Sequence, residues 1–589
     1  MRRIAKPFAA LIALLFLPTL APAAPLADKI PGDAIIYAGW QGTDQLGAAY
    51  TNSNLKGVVD AMNLQDLMGQ FWAKGLKDAE AQGKADDAKL FGELLNTALK
   101  SPTAMYVQGL DMTDPQKPVP NIAFICQMGK GAEDLVKRLA VFQEKNRKET
   151  DPPTVWKAVG DYLVLSIGSP TDLTPYLTGV VDHYPKPPLS ADPAFLAASK
   201  QAGDSPALCI YASGEALRKL AGEAAAARPQ QQGPSFENIM AATGLAGVKH
   251  AIMTGGFDGK NWSTQAFVEL DKDRSGLVSF IDNAPLSPDA LKTIPKSASW
   301  ATVARFDGKR CLADIRAGAL LIDPVRGPKA VETGLLTGGN FLGIDLEKDL
   351  LLNHSDEWIL YGNPDAAGNS IQGITLVNKV KDEKNATMTF ETLEDFTNAL
   401  IAQYGRAAAK QFTTVKKGDL TLHTMDLPKI TPTWAVAGGK FIFAISSAAA
   451  ESAATFDGKE TLADNADFQA LVKKLGVDKY SSFSFADGQR TLPEAYWVWT
   501  QIVLRINTDA KEGDPKISLP PLEKLKPFVS PSLDLWWSDA DGMHMKSTEP
   551  FPGSMYFGGA SMSVDAILLP LMDRANARRG QAAGAPGGN

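Results

Sequence analysis

Cysteine is nearly missing from this chain: three residues, Cys126, Cys209 and Cys311, among 589. So small and odd a count excludes a disulfide framework and leaves at least one thiol unpaired. Two of the three lie in apolar, strand-like contexts, Phe124-Ile125-Cys126 and Leu208-Cys209-Ile210, which predicts buried, inert thiols. No C-x-x-C occurs, and His183, His250, His354, His423 and His544 stand singly without H-E-x-x-H spacing, so zinc is not expected. Positive charge is short as well. Lys and Arg number 59 against 66 Asp and Glu, a net charge of −7, and nucleic acid needs the opposite field. After residue 20 no apolar run approaches the ~20 residues that span a bilayer, so no transmembrane span is expected.

Catalytic signatures are missing too. No G-x-S-x-G elbow is present; Gly368-Asn369-Ser370-Ile371-Gln372-Gly373 has the wrong spacing and runs into a strand. Gly129-Lys130-Gly131 and three copies of Phe-Asp-Gly-Lys lack the phosphate-loop frame and read as turns. The bulk composition is that of an ordinary globular chain, 45% apolar and 21% charged, long enough for several cores.

What is present begins with an address. Arg2, Arg3 and Lys6 precede an apolar stretch from Phe8 to Leu20 and the small residues of Ala21-Pro22-Ala23. This is the pattern of a secretory signal, and it places the signal peptide at 1–23 and the product in the periplasm or outside the cell.

An internal repeat sets the organisation. Ile30-Pro31-Gly32-Asp33-Ala34 before an apolar strand is echoed by Ile294-Pro295-Lys296-Ser297-Ala298, at an offset of 264. Trp156, Gly160, Leu163-Val164-Leu165 and Ile167 align with Trp434, Gly438, Phe441-Ile442-Phe443 and Ile445, at 278. Leu189, Phe195 and Gly203 match Leu462, Phe468 and Gly476 at 273, and Asp258-Gly259 matches Asp541-Gly542 at 283. The order predicts two related lobes, 24–285 and 286–572, followed by a basic, then Gly/Ala-rich, disordered tail at 573–589. Short β-type runs alternate with helical periodicity in each lobe, and both Asp-Gly pairs read as type I′ hairpin turns. The expected class is α+β, each lobe a mostly antiparallel sheet covered by helices.

One constellation has a ligand's spacing. From Asp271 to Asp282, oxygen-bearing Asp271, Asp273, Ser275, Ser279 and Asp282 stand at positions 1, 3, 5, 9 and 12, with Gly276 at 6, as in a calcium-binding EF-hand loop. Against it, Thr264 to Leu270 reads as a strand where an EF-hand has a helix, and Ser275 is well placed to cap a helix instead. Calcium is the one cofactor the sequence suggests. Tyr496, Trp499, Val503 and Ile506 form a helical stripe, with Trp497 beside it and Trp536-Trp537 in a strand. Such a stripe is either core or a groove for an apolar or sugar ligand. Val564 to Met572, followed by Arg574, Arg578 and Arg579, reads as a helix docked on the second lobe or as a peripheral membrane contact.

The start Ile30-Pro31-Gly32-Asp33-Ala34-Ile35-Ile36-Tyr37, and Gly343-Ile344-Asp345-Leu346-Glu347-Lys348-Asp349-Leu350-Leu351 shortly before Trp358-Ile359-Leu360-Tyr361, carry a family resemblance. They resemble exported bacterial proteins of the domain-of-unknown-function family 3352, where a P-x-D-A strand start and a G-x-D-x-x-x-D-L-L helix precede sheet strands. The first lobe departs from the pattern in lacking a Gly-x-Asp helix start. The resemblance implies location and architecture and transfers no site.

The expected function is therefore an exported protein that binds a ligand or an envelope partner, or serves a structural role, without chemistry. An envelope hydrolase whose carboxylates need no local spacing is the competing class; an exported calcium-binding protein using Asp271, Asp273, Ser275 and Asp282 is a third. No catalytic residue is named.

Overall fold

The computed structural model describes residues 24–554 apart from 82, 115–116, 149–150, 204–205, 227–232, 282, 369–370, 405–409, 428–429, 511–513 and 515. The expected signal peptide, the apolar stretch from 564 to 572 and the tail lie outside the described residues.

Apolar runs bounded by Gly, Pro and Asp become strands: β1 Ile36–Trp40, β2 Thr103–Asp111, β3 Val119–Gln127, β4 Thr154–Val159, β5 Tyr162–Ile167, β6 Leu208–Ser213, β7 Val248–Asp258, β8 Asn261–Leu270, β9 Trp300–Arg305, β10 His354–Gly362, β11 Ile374–Val380, β12 Phe412–Lys417, β13 Leu420–Met425, β14 Thr433–Ala437, β15 Lys440–Ala444, β16 Ser482–Ala486, β17 Ser532–Ser538 and β18 Gly542–Glu549. The helices that matter below are α1 Asn54–Ala61, α2 Ala132–Asn146, α3 Pro193–Ala202, α4 Glu383–Tyr404, α5 Ala466–Leu475 and α6 Gly488–Asp509. Among the described residues no helix is long and apolar enough to cross a membrane.

The class is α+β, and every strand pairing is antiparallel. The sheets of the two halves are not separate, however. β8 pairs with β18 over eight residues, from Gly542 opposite Glu269 to Glu549 opposite Trp262, and all the strands belong to one sheet. Read across it, the order is β4-β5-β3-β2-β1-β6-β7-β8-β18-β17-β16-β9-β10-β11-β15-β14-β13-β12. A free sheet edge invites pairing, and in each half the last strand covers the other's edge.

Outward from this seam the two halves repeat in order and in register. Tyr37 lies between Tyr106 and Tyr211, and Ala301 between Tyr361 and Phe485. Trp156 opposes Leu165 as Trp434 opposes Phe443, at the offset of 278 expected from sequence. Ile252 lies between Tyr211 and Phe267, Leu533 between Phe485 and Thr548. The hairpin β12–β13 is added at the outer edge of the second half.

The connections repeat as well. Leu189 N–H donates to Ile30 O at 2.7 Å, and Leu462 N–H to Ile294 O at 2.8 Å, all four residues fully buried. Asp192 caps α3 through Phe195 N–H, and Asn465 caps α5 through Phe468 N–H. Each cap satisfies an amide that the helix itself leaves free. The capped phenylalanine then enters the core. Phe195 meets Tyr37 and Tyr211 edge-on, and Phe468 packs on Phe483 and Phe485.

One sequence match shifts. Gly259 takes a positive φ of 62° between Asp258 and Asn261, as a tight hairpin requires. Gly542 does not: it is the first residue of β18, where a Cβ would stand 2.1 Å from Val268 O. The second turn is held by Asp539, whose Oδ1 accepts from Asp541 and Gly542 N–H. A side chain that mimics a backbone turn makes positive φ unnecessary there. Asp258 therefore corresponds to Asp539, and the offset is 281.

Candidate functional site

An apolar cleft lies under α6. Asp487 starts this helix by accepting Gln489 and Arg490 N–H on Oδ1. Leu492, Tyr496 and Trp499 then recur at four and three, so they share one face and turn to the cleft together. Val58 and Met62 close it from the N-terminal part of the chain, Leu519, Leu525 and Val529 from the segment after α6, and Phe551 from the segment after β18. Gly57 permits this closure. A Cβ there would stand 2.2 Å from the Phe528 ring, so only glycine lets α1 lie so close.

The cavity measures about 70 Å³, room for a short apolar segment. Among the described residues no charged side chain lines it, and three of its hydroxyls are spent on the protein. Tyr496 Oη donates to Pro520 O at 2.9 Å and Thr491 Oγ1 to Asp487 O at 3.1 Å, while Ser554 Oγ donates to Glu549 Oε2 at 3.2 Å. A wall of this kind chiefly holds apolar surface. Glu494 lies on the same helix without lining the cleft. Burial pushes its carboxyl above the usual range, and Oε1 has no partner among the described residues.

Of the aromatic residues singled out from sequence, Tyr496 and Trp499 line the cleft, Val503 is half-buried and Ile506 is exposed. Trp497 is exposed and Trp536 is 42% exposed, while Trp537 stacks on His544 with centroids 4.9 Å apart; these three do not join the site. Val58 and Met62 come from more than 400 residues away in sequence and Phe551 from about 50, and no local pattern marks them.

The EF-hand spacing leads elsewhere. Asp271, Asp273 and Ser275 are exposed in the loop after β8, a strand standing where an EF-hand has its entering helix. Ser279 is turned inward, donating to Gly276 O and bonding Asp314, and Asp282 lies outside the described residues. Among the described residues no three His, Cys, Asp or Glu side chains converge as metal ligands. For carboxylate chemistry, Asp365 and Glu460 line one open polar cleft, but Asp365 is held by Arg490 at 3.2 Å. All three cysteines are free. Cys126 and Cys209 are buried, and burial pushes the Cys209 thiol up to about 12.

The chain matches no protein-family model, no curated protein and no solved structure.

Proposed function

We propose that this is an exported envelope protein that holds the end of an acyl chain or a similar short apolar segment in the cleft under α6 and performs no chemistry on it. The observation that carries the reading is the cleft's wall, mostly apolar, uncharged among the described residues, and with the Thr491 and Tyr496 hydroxyls bonded back to the protein. The leader-like first 23 residues and the resemblance to family 3352 support an exported location.

Acyl chains brominated at one carbon quench a tryptophan they touch, so the test uses brominated dodecanoate with the mature protein. Quenching should saturate in the wild type and fall by most of its amplitude in Trp499→Phe, with Trp497→Phe unaffected. Equal quenching in wild type and Trp499→Phe would remove the cleft as the site.

A further inference from the structure

A second cavity, of about 270 Å³, sits on the seam between the halves and differs in chemistry from the apolar cleft. Its floor is the hairpin β7–β8 together with β18, and its wall is the C-terminal end of α5. We propose that it binds a small hydroxylated carboxylate, such as a sugar acid.

The repeat explains why there is a hole. Gly256 on β7 opposes Ser263 on β8, and their counterparts at the same register positions are Trp537 and His544, which oppose one another on β17 and β18. In the second half those two rings stack at 4.9 Å, only 6° from parallel, and fill the space over the strands. In the first half a glycine and a serine leave it open, and both line the cavity. The emptiness is thus particular to one half of an otherwise matched pair of ladders.

The lining carries charge of uneven balance. Lys474 and Lys546 both face the cavity, with Asp258 as the carboxylate among its lining residues. Lys474 Nζ is 2.8 Å from Asp258 Oδ2, which satisfies one ammonium. Lys546 has no carboxylate within ion-pair distance among the described residues; its Nζ only reaches Leu475 O, at 3.4 Å. One positive charge is left for a ligand, and a carboxylate supplies its complement. Gln265, paired in register with Lys546 across the seam, lines the cavity with an amide that makes no side-chain hydrogen bond among the described residues. An amide offers two donors and an acceptor. Together with Asp258, which accepts, it suits the hydroxyls of a polyol, whereas inorganic anions would use the lysine alone.

The test is titration calorimetry of the mature full chain with glucuronate, glucose and inorganic phosphate as separate probes. Glucuronate should bind saturably, at least tenfold tighter than either of the others. Lys546→Gln, which places on β18 the same residue that β8 carries, should weaken it tenfold or more with the thermal midpoint unchanged. Gly256→Leu should abolish binding by filling the space; if that variant unfolds, Lys546→Gln decides alone. Absence of saturable glucuronate binding, or unchanged binding in Lys546→Gln, overturns the site. Phosphate binding as tightly as glucuronate overturns the hydroxyl half of the assignment, and glucose doing so overturns the charge half.

Discussion

Glu394 shows how unequal two matched residues become. Its Oε2 accepts Trp434 Nε1–H at 2.9 Å and pairs with His423 Nδ1 at 2.8 Å, and the His423 and Trp434 rings stack at 3.8 Å. Trp434 is 5% exposed, whereas its counterpart Trp156 is only half-buried. Trp434→Ala should cost about 3 to 5 kcal/mol in denaturant unfolding, and Trp156→Ala clearly less, because less apolar surface is lost. Sequence pairs the two tryptophans through their shared position but says nothing of the partners that α4 brings to one of them. Glu494 supplies a pH test. Its folded-state pKa is raised by burial, so its contribution is present below the unfolded carboxyl value and lost as pH rises through the folded one. Glu494→Gln should match wild type in thermal midpoint near pH 4 and exceed it at pH 8, by on the order of 1 °C. Titration with an aromatic disulfide reagent should leave Cys126 and Cys209 unmodified until denaturant is added, since burial raises both thiols.

Among elements, the strands were the most legible, because short apolar runs between Gly, Pro and Asp leave few alternatives. Turns and loops were less so. Asp539 stabilises its turn through its side chain, a device that the Asp541-Gly542 pair two residues on conceals. The Asp271 loop likewise has calcium-loop spacing, yet spacing does not say whether carboxylates converge. The stretch Gly343 to Leu351 shows the reverse, a motif whose reason is visible only in three dimensions. Leu346–Leu351 forms a π-helical turn; Asp345 Oδ1 accepts Glu347 and Lys348 N–H, and Asp349 Oδ2 accepts the N–H of Asp345 itself. The two aspartates thus brace opposite sides of one turn, which fixes their four-residue spacing. Asp345→Ala should cost about 1 kcal/mol in unfolding free energy, the ordinary worth of a helix cap. The apolar cleft was half legible: helical spacing on α6 marked Tyr496 and Trp499, while the wall opposite is assembled by tertiary packing.

At the scale of the whole molecule, the repeat was readable as an order of anchors, and the strand ladders support it through their registers. The joining of the two sheets was not readable, since β8 and β18 are separated by more than 270 residues and each resembles an ordinary half-buried strand. The seam has a further property. At the offset of 281, Gln265 corresponds to Lys546, and these two residues oppose each other in the β8–β18 ladder. Matched strands that cross antiparallel at matched residues are arranged as in the isologous interface of a C2 dimer. The segment around Asn283 to Ser287 then acts as a tether, replacing bimolecular encounter by a high effective concentration of one half about the other. Residues 24–285 produced alone should accordingly self-associate through β8, and a Gln265→Cys version should crosslink to a disulfide dimer on oxidation; a fragment that stays monomeric by light scattering at tens of micromolar would show that the tether, and not the edge, holds the halves together.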